Sequence, residues 1–417
     1  MIHPMRRQPE HVYERLLLHP IMQLCLACLC SLLLPLGLFQ SQVHYQHGLW
    51  SGMALGLSLL IWSRLRSFPY SRGLSTSLPL FTLIWCLGAL SSSVMYSAPH
   101  WGFWLSSWCG VSVWLLLMQW IERRIARPYL ALVPFGRIAQ LKLDPTARTL
   151  VLKTPQLPDD QVMDALVADL QSDDLPAQWE EFLAECALQQ LPVFHLSAIS
   201  EGLTGKVATD HLRQGELGNL LPSLAYMRIK RMIDTCAALV LLPLLSPVLL
   251  LTAFLIKIDS PGQVIYKQKR IGYRGQPFEV YKFRSMRHEA EGEAFTAAEG
   301  DPRITRIGRI IRKYRIDELP QLLNVLKGDM SFIGPRPESE DLAAWYTQDV
   351  PFFAYRHIVR PGISGWAQVN QGYATQIEGM KEKLQYDFYY IKHFSLWLDV
   401  LIVFKTLRTI ATGFGAR

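Results

Sequence analysis

Two adjacent carboxylates, Asp317 and Glu318, follow three cations in the chain and precede a Leu-Pro dipeptide. A carboxylate can attack phosphorus to give an acyl phosphate, which divides one difficult transfer into two displacements. Two neighbouring carboxylates also suit a hard divalent cation such as Mg²⁺, which neutralises phosphate charge. On its own, the pair is equally typical of charge alternation on a solvated helix. Asp317 is therefore a candidate nucleophile, and Glu318 a candidate for positioning a metal ion or water.

Cations are concentrated between residues 260 and 372, in motifs that the packing of a core does not require. Arginine presents a planar fork to phosphate oxygens, and lysine adds a compact positive charge. Several such residues converging on one place predict a site for a diphosphate. Besides the segment around Asp317, the motifs are Tyr281-Lys282-Phe283-Arg284-Ser285-Met286, Gly334-Pro335-Arg336-Pro337 and Arg360-Pro361-Gly362-Ile363-Ser364-Gly365-Trp366.

The Gly-Pro-Arg-Pro motif is stiff, because each proline restricts its own backbone and that of the residue before it. Arg336 in this motif would lose little further entropy on binding a ligand, so it is a good candidate for a phosphate clamp. The alternative is a rigid surface turn that carries one exposed arginine.

The composition of the 417-residue chain bounds its class. Half of its residues are hydrophobic, which favours a membrane protein over an ordinary soluble enzyme. The formal net charge of +7 suits anionic lipid, phosphorylated substrates or nucleic acid, so the sign alone does not choose among them. Six of the seven cysteines lie in apolar runs, and no disulfide framework can be read from them.

Four uncharged stretches in the N-terminal third each have about the ~20 residues that a helix needs to cross a bilayer. Arginines precede the first stretch, separate the second from the third, and follow the fourth, whereas the other two connections contain neither Lys nor Arg. By the positive-inside rule, both ends of this region face the cytoplasm. We predict a four-helix transmembrane region over residues 1–127, with its helices near 20–39, 43–63, 78–99 and 102–121.

The next part, residues 128–222, has a soluble composition in which strand-like and helix-like patterns alternate. This alternation predicts a small cytoplasmic α/β domain. It contains no glycine-rich phosphate loop and no metal-ligand spacing, so we interpret it as structural, oligomerising or regulatory. The predicted strands are 130–138, 149–153 and 191–196, and the predicted helices are 159–170 and 178–190.

Residues 235–256 form a further uncharged stretch that is long enough to cross a bilayer. Cations flank it on both sides, and one crossing cannot place both flanks in the cytoplasm. Pro243 and the pair Ser246-Pro247 lie near its middle, where a proline removes a helical hydrogen bond and a serine can satisfy the freed carbonyl. We predict a broken helix over 232–257 that enters and leaves the membrane on one side. A kinked fifth span is the alternative.

From about residue 226 onwards, the order of motifs resembles the bacterial sugar transferase family, the monotopic phosphoglycosyl transferases. Larger members also carry a four-helix membrane region and a soluble α/β domain, as this chain is predicted to do. The resemblance implies an α-rich catalytic domain, residues 223–417, with a re-entrant membrane helix broken at Ser246 and Pro247. The motifs are Lys230-Arg231-Met232-Ile233-Asp234, Ser246-Pro247, Lys282 to Met286, Asp317 to Leu322, Leu326 to Ser331, Gly334 to Pro337 and Pro361 to Asn370.

The resemblance also implies a reaction. The Asp of the Asp-Glu pair attacks the β-phosphate of a UDP-sugar, UMP leaves, and a polyprenyl phosphate, usually undecaprenyl phosphate, takes the sugar-phosphate from the enzyme with Mg²⁺ present. Motif matching places Asp317 as nucleophile and Glu318 as its acidic partner, and both as metal ligands. The residues implied to bind substrate or phosphate are Lys282, Arg284, Arg312, Arg336, Pro337 and Asp387.

The expected location is the bacterial inner membrane, with several spans and with the N-terminus and catalytic domain in the cytoplasm. The expected partners are UDP-sugar, polyprenyl phosphate, membrane lipid and downstream glycosyltransferases of exopolysaccharide, capsule or O-antigen synthesis; homo-oligomerisation stays open. Nucleic acid would explain the charge but not the membrane segments. The alternative function is a non-catalytic scaffold for polysaccharide assembly. Smaller members have an arginine where this chain reads Gln371-Gly372-Tyr373, so a substrate contact made by that arginine cannot be transferred to this chain. The sequence does not identify which sugar is transferred.

Overall fold

The computed structural model is mostly helical, with α/β parts, and divides into two compact units, Met1–Gly205 and Lys206–Arg417. It describes residues 20–33, 35, 45–65, 74–96, 101–125, 129–140, 148–158, 163–209, 221–287, 303–371 and 377–412. Most of the flanking arginines on which the predicted membrane topology depends, at 6, 7, 15, 66, 72 and 127, lie outside the described residues.

The first unit begins with helices in all four stretches that were predicted to span a membrane. One of them, around Trp101–Ile121, is long and apolar enough for a crossing by length and composition, whereas the apolar parts His47–Trp62 and Leu80–Ser93 are shorter. The first stretch is helical and continues as a π-helical turn, Leu29–Leu33. The helices are α1 (Pro20–Cys28), α2 (Tyr45–Leu65), α3 (Leu74–Tyr96) and α4 (Trp101–Ile125).

Small polar side chains join these helices. The Ser51 and Ser107 hydroxyls lie 2.9 Å apart between α2 and α4, and the Trp85 indole of α3 donates to Ser107 at 3.0 Å. A Cβ at Gly110 would lie 1.9 Å from the carbonyl oxygen of Cys30, so only glycine permits this close approach. Small residues and interhelical hydrogen bonds are the contacts that join helices where no water drives apolar association.

The rest of the first unit is a four-stranded parallel sheet in the order β2-β1-β3-β4, covered by two helices. Three sequence predictions are confirmed here, each to within two residues at its ends: the helix at 178–190 and the strands at 149–153 and 191–196. The elements are β1 (Tyr129–Leu132), β2 (Arg148–Val151), β3 (Ala165–Ala168), α5 (Ala177–Leu188), β4 (Val193–His195) and α6 (Leu196–Thr204).

The predicted helix at 159–170 is wrong over its described part, because Ala165–Ala168 form the fully buried strand β3. A strand buried on both faces shows a continuous apolar run, which periodicity does not separate from a helix. The predicted strand at 130–138 also ends early, at Leu132, and is followed by a 3₁₀ turn at Gly136–Gln140.

The second unit consists of one long helix, two small two-stranded sheets and a set of shorter helices. Strands β5 and β6 form an antiparallel hairpin, and β7 and β8 a short parallel pair. The elements are α7 (Leu224–Asp259), β5 (Ile265–Ile271), β6 (Pro277–Phe283), α8 (Arg306–Lys313), α9 (Leu322–Lys327), β7 (Ser331–Ile333), α10 (Glu340–Asp349), β8 (Gly362–Ser364), α11 (Trp366–Asn370), α12 (Ile377–Lys392) and α13 (Leu396–Thr412).

Helix α7 is continuous, so the break predicted at Ser246-Pro247 is wrong as a statement about secondary structure. In a helix, the carbonyl of Pro243 would accept from the N–H of residue 247, which proline lacks. The Ser246 hydroxyl donates to that carbonyl at 2.7 Å instead. The helix therefore continues through both prolines.

Both ends of α7 pack on the same body, while large apolar side chains in its middle are exposed. Near the N-terminal end, the Lys230 ammonium lies 2.6 Å from Asp399 of α13, and Asp234 accepts from Ser331 at 2.7 Å. Near the C-terminal end, Ile256 is buried in the cluster that contains Phe283 and Ile311. Between them, Leu239, Val240, Leu244, Leu250, Leu251 and Phe254 are all more than half exposed.

Candidate functional site

The adjacent carboxylates lie on a 3₁₀ helix, Ile316–Gln321, that follows α8. Arg315 separates the two helices and has a left-handed backbone with φ of 56°, an uncommon conformation for a residue with a side chain. The reversal ends α8 and directs the following turn towards β6. Pro320 suits a short helix of this kind, because the turn requires few backbone donors.

Asn324, at the start of α9, fixes this segment against β6. Its side-chain amide donates to the carbonyl of Glu279 at 2.6 Å, and its oxygen accepts from the N–H of Tyr281 at 3.0 Å. The fully buried Asn324 thus pairs with the main chain of β6 on both sides of Val280. Since Lys282 is the residue after Tyr281 on that strand, this pairing sets Lys282 opposite the 3₁₀ helix.

Glu318 is the anionic centre of the site. Its Oε1 lies 2.7 Å from Nη2 of Arg336, 3.4 Å from Nη1 of Arg315 and 3.9 Å from Nζ of Lys282. Burial disfavours ionisation of Glu318, but these three cations outweigh it and hold the pKa of Glu318 far below its ordinary value. Glu318 is therefore an ionised, buried carboxylate that holds three phosphate-suited cations in place.

Asp317 is in the opposite situation. Its Oδ1 is buried and receives no hydrogen bond from any residue that the structure describes. Burial, followed by the neighbouring charge of Glu318, raises the pKa of Asp317 to about 6, against the opposing effect of Lys282, Arg315 and Arg336. Near neutral pH the group is still largely ionised, and its unpartnered oxygen is the property that a nucleophile needs.

The pKa of Lys282, in the same site, is also shifted from its ordinary value. Burial, and then the charge of Arg336, lowers the pKa of Lys282 to about 7, although Glu318 and Asp317 favour its charged form. Titratable groups with strongly shifted pKa values that share one location are characteristic of functional sites.

The remaining predicted residues divide into those that the structure brings to this site and those that it does not. Arg312 lies in the last turn of α8, close in sequence to the carboxylates. The carbonyl of Pro337 accepts from the Arg270 guanidinium. Ser246 lies in the exposed middle of α7 and serves the helix itself.

Arg284 is engaged elsewhere. Its guanidinium donates to the carbonyl oxygens of Pro261 and Ser260, at 2.5 Å and 2.6 Å, and to the Ser260 hydroxyl at 2.9 Å. These acceptors lie directly after the C-terminus of α7. The structure therefore uses Arg284 to tie the end of α7 to the end of β6.

Asp387, on α12, is fully buried and belongs to a second charged cluster. Its Oδ2 accepts from Nε of Arg356 at 3.0 Å and lies 2.8 Å from Nη2 of the same residue. Sequence reasoning did not single out Arg356, Glu338 or Lys383, which complete this cluster. No local signal could have found Arg356, because an arginine outside a motif reads as a surface residue until burial is known.

Mg²⁺ is the metal ion that the resemblance implies at this site. Among the residues that the structure describes, no three His, Cys, Asp or Glu side chains come together as a metal site. Mg²⁺, however, commonly takes one or two protein carboxylates and completes its shell with water and substrate phosphates. Oδ1 of Asp317 is a buried oxygen that lacks a donor, so the residues fit an ion held by one protein oxygen and a bound diphosphate.

The site brings three cations together beside a carboxylate oxygen that has no donor among the described residues, an arrangement that suits a phosphorylated ligand. Comparison with known proteins agrees with this class. The family model for bacterial sugar transferases matches residues 225–413. The chain belongs to the bacterial sugar transferase family.

Named relatives are similar over different lengths of the chain. The UDP-N-acetylgalactosamine-undecaprenyl-phosphate N-acetylgalactosaminephosphotransferase of Aeromonas hydrophila is 54% identical over 303 residues, which are 72% of this chain and 71% of that protein. The UDP-glucose:undecaprenyl-phosphate glucose-1-phosphate transferase of Caulobacter vibrioides is 43% identical over 198 residues, 47% of this chain and 74% of that protein. An Escherichia coli protein of the same name is 42% identical over 182 residues, 43% of this chain and 39% of that protein.

Proposed function

We propose that this protein transfers a sugar-1-phosphate from a UDP-sugar to undecaprenyl phosphate, in two displacements at Asp317. The observation that carries the proposal is the contrast within the carboxylate pair. Glu318 holds Arg336, Arg315 and Lys282 within 4 Å, while Oδ1 of Asp317 is buried without a hydrogen-bond donor among the described residues. If the two carboxylates were only structural, both would be expected to pair with neighbouring cations.

In the first displacement, a carboxylate oxygen of Asp317 attacks the β-phosphorus of the UDP-sugar. A bond forms between that oxygen and phosphorus, and the bond from phosphorus to the bridging oxygen breaks. The electron pair of the broken bond stays on the α-phosphate, so UMP leaves and the sugar-phosphate remains on Asp317 as an acyl phosphate. No proton has to move in this step.

In the second displacement, a phosphate oxygen of undecaprenyl phosphate attacks the same phosphorus. The bond to Asp317 breaks, which restores the free carboxylate and gives the lipid diphosphate sugar. Because the enzyme returns to its starting charge, the same residue serves both half-reactions.

The cations around Glu318 are suited to stabilise the negative charge of the phosphates in both displacements. Arg336, Arg315 and Lys282 are already held near the carboxylates, so little reorganisation is required when a diphosphate binds. Mg²⁺, when bound with the diphosphate, neutralises phosphate charge that would otherwise repel Asp317. The side chains hold the diphosphate and aim Asp317 at its phosphorus.

We propose UDP-N-acetylgalactosamine as the donor to test first. The support is the 54% identity to the Aeromonas protein, whose 303 aligned residues exceed what the chain has beyond residue 225 and so extend into the first unit. UDP-glucose is the second donor to test, on the strength of the Caulobacter relative.

We also propose that the site works at the cytoplasmic face of the inner membrane, with α7 entering and leaving on one side. Its middle exposes a dense set of apolar side chains, and both ends pack on one body. A crossing would place those ends on opposite sides of a hydrocarbon layer of about 30 Å.

The test is retention of label by the purified full-length protein. With Mg²⁺ and a UDP-sugar labelled in the β-phosphate, wild type should retain label that neutral hydroxylamine releases, as expected of an acyl phosphate. Asp317→Asn should retain none. Asp349→Asn makes the same chemical change at an exposed position at the end of α10 and should label like wild type.

The outcomes separate the alternatives. If wild type forms lipid diphosphate sugar without retaining label, transfer is direct and the two-displacement mechanism is wrong. If neither label nor product forms with any donor, the scaffold function takes its place.

A further inference from the structure

The main chain around Arg336 is anchored at four successive carbonyls. Those of Pro335 and Glu338 accept from the N–H groups of Gly362 and Ile271, each at 3.0 Å. The carbonyl of Arg336 accepts from Nη2 of Arg356 at 2.8 Å, and that of Pro337 accepts from Arg270. Since neither proline has an N–H, anchoring depends largely on carbonyls in this segment, residues 334–338.

Arg356 anchors the carbonyl of Arg336, the residue of this segment whose side chain reaches the site. Its side chain is 1% exposed, and it lies on the 3₁₀ helix Phe353–Ile358. Its guanidinium donates to the Arg336 carbonyl and contacts Asp387 through Nε and Nη2. Nη1 lies 3.5 Å from Glu338. One planar group therefore joins the backbone of the phosphate clamp to α12.

The charges around Arg356 explain why so buried a cation is tolerated. Asp387 is 1% exposed and binds the guanidinium through Oδ2 alone, while Lys383 donates to Glu338. Two carboxylates balance the charges of the arginine and the lysine, and the Arg356 guanidinium is held in one orientation by its contacts to Asp387, Glu338 and the Arg336 carbonyl. Asp387 contacts Arg356, which in turn reaches the carbonyl of Arg336.

We propose that Arg356 is a positioning residue: together with Asp387, it holds the backbone of Arg336 so that the Arg336 guanidinium stays aimed at Glu318 and the substrate diphosphate. This inference rests on the proposed function for its catalytic consequence. It assigns Asp387 to orientation of the clamp, in place of direct substrate contact.

Arg356→Lys is the variant of choice, because it keeps the buried charge but cannot reproduce the planar fork that reaches Asp387 and the Arg336 carbonyl together. It should lower kcat by about 10- to 100-fold, as misplacement of a positioned group does, with KM for the UDP-sugar changed by less than about threefold. Combined with Arg336→Ala, it should cost less than about threefold more, because the residue through which it acts is gone. Equal losses in both backgrounds would overturn the proposal.

Arg137→Lys is the matched control, since Arg137 also pairs with a buried aspartate, Asp169, but lies in the first unit. It should leave kcat unchanged.

Hydrogen exchange provides a readout that needs no activity. Arg356→Lys should speed exchange at the amides of Gly334, Arg336 and Glu338, and Arg137→Lys should not. Unchanged exchange at these amides refutes the positioning role even if wild type transfers no sugar, whereas a wild type without activity but with faster exchange in Arg356→Lys refutes only the proposed function.

Discussion

Nη2 of Arg336 lies 2.7 Å from Oε1 of Glu318, so the clamp arginine is ion-paired with the carboxylate beside the proposed nucleophile. The two residues lie in different segments, the stiff turn after β7 and the 3₁₀ helix after α8. Their pairing brings positive charge next to Asp317 while Oδ1 of Asp317 keeps no donor of its own among the described residues. The site is thereby prepared for an anion before one binds.

Glu318→Gln should move the acid limb of the labelling reaction to lower pH. The charge of Glu318 is one of the causes that raise the pKa of Asp317, so its removal lets Asp317 ionise more easily. The rate itself should fall, because Arg336 loses the partner that holds it. Single-turnover labelling against pH measures both effects. Glu340→Gln, at an exposed position, should leave the limb in place; an unmoved limb in Glu318→Gln would contradict the assigned electrostatics.

The pH dependence of kcat/KM should be bell-shaped. Asp317 must lose its proton to attack, so the rate rises through its pKa of about 6. Lys282 must keep its proton to attract phosphate, so the rate falls through its pKa of about 7. Lys282→Arg should abolish the alkaline fall, since a guanidinium stays charged throughout this range. An alkaline limb that persists unchanged in Lys282→Arg would assign it to another group.

Arg284→Ala should lower stability and leave substrate binding intact. Its guanidinium is bonded to Ser260 and Pro261, and losing hydrogen bonds from a charged group costs about 1.5–3 kcal/mol of unfolding free energy. Thermal unfolding in detergent and KM for the UDP-sugar are the two measurements. Arg287→Ala, which removes an exposed arginine three residues along, is the control and should change neither. A raised KM with unchanged melting would return Arg284 to the substrate site.

Cysteines placed at the two ends of α7 should lie on the same side of the membrane. Leu221→Cys and Lys267→Cys, in a cysteine-free background, use exposed positions before and after the helix. A membrane-impermeant maleimide should label neither in intact spheroplasts and both after permeabilisation. Labelling of only one of them in intact cells would show that α7 crosses the membrane.

Much of the candidate site was readable from local sequence. The carboxylate pair and the cationic motifs are short and contiguous, and their chemistry depends on residue type, so Asp317, Glu318, Lys282 and Arg336 could be named without coordinates. The apolar stretches were equally visible, because a run of about 20 uncharged residues needs no tertiary contact to be recognised. The helix at Ala177–Leu188 followed from its periodicity.

Other features required the folded chain. Strand β3 has the same apolar pattern as a buried helix, and only its pairing with β1 and β4 distinguishes the two. Helix α7 continues through Ser246 and Pro247 because a hydroxyl replaces a missing N–H, a contact that proline content alone does not reveal.

The sequence by itself determined which groups are available for phosphate chemistry, since type and spacing are local properties. Tertiary structure decided which of them meet. Arg284 and Arg336 are indistinguishable as phosphate-suited cations in the sequence, yet one binds the end of α7 and the other binds Glu318. Arg356 gained its place only through burial against Asp387 and the Arg336 carbonyl, because contacts between residues distant in the chain depend on packing that no local pattern encodes.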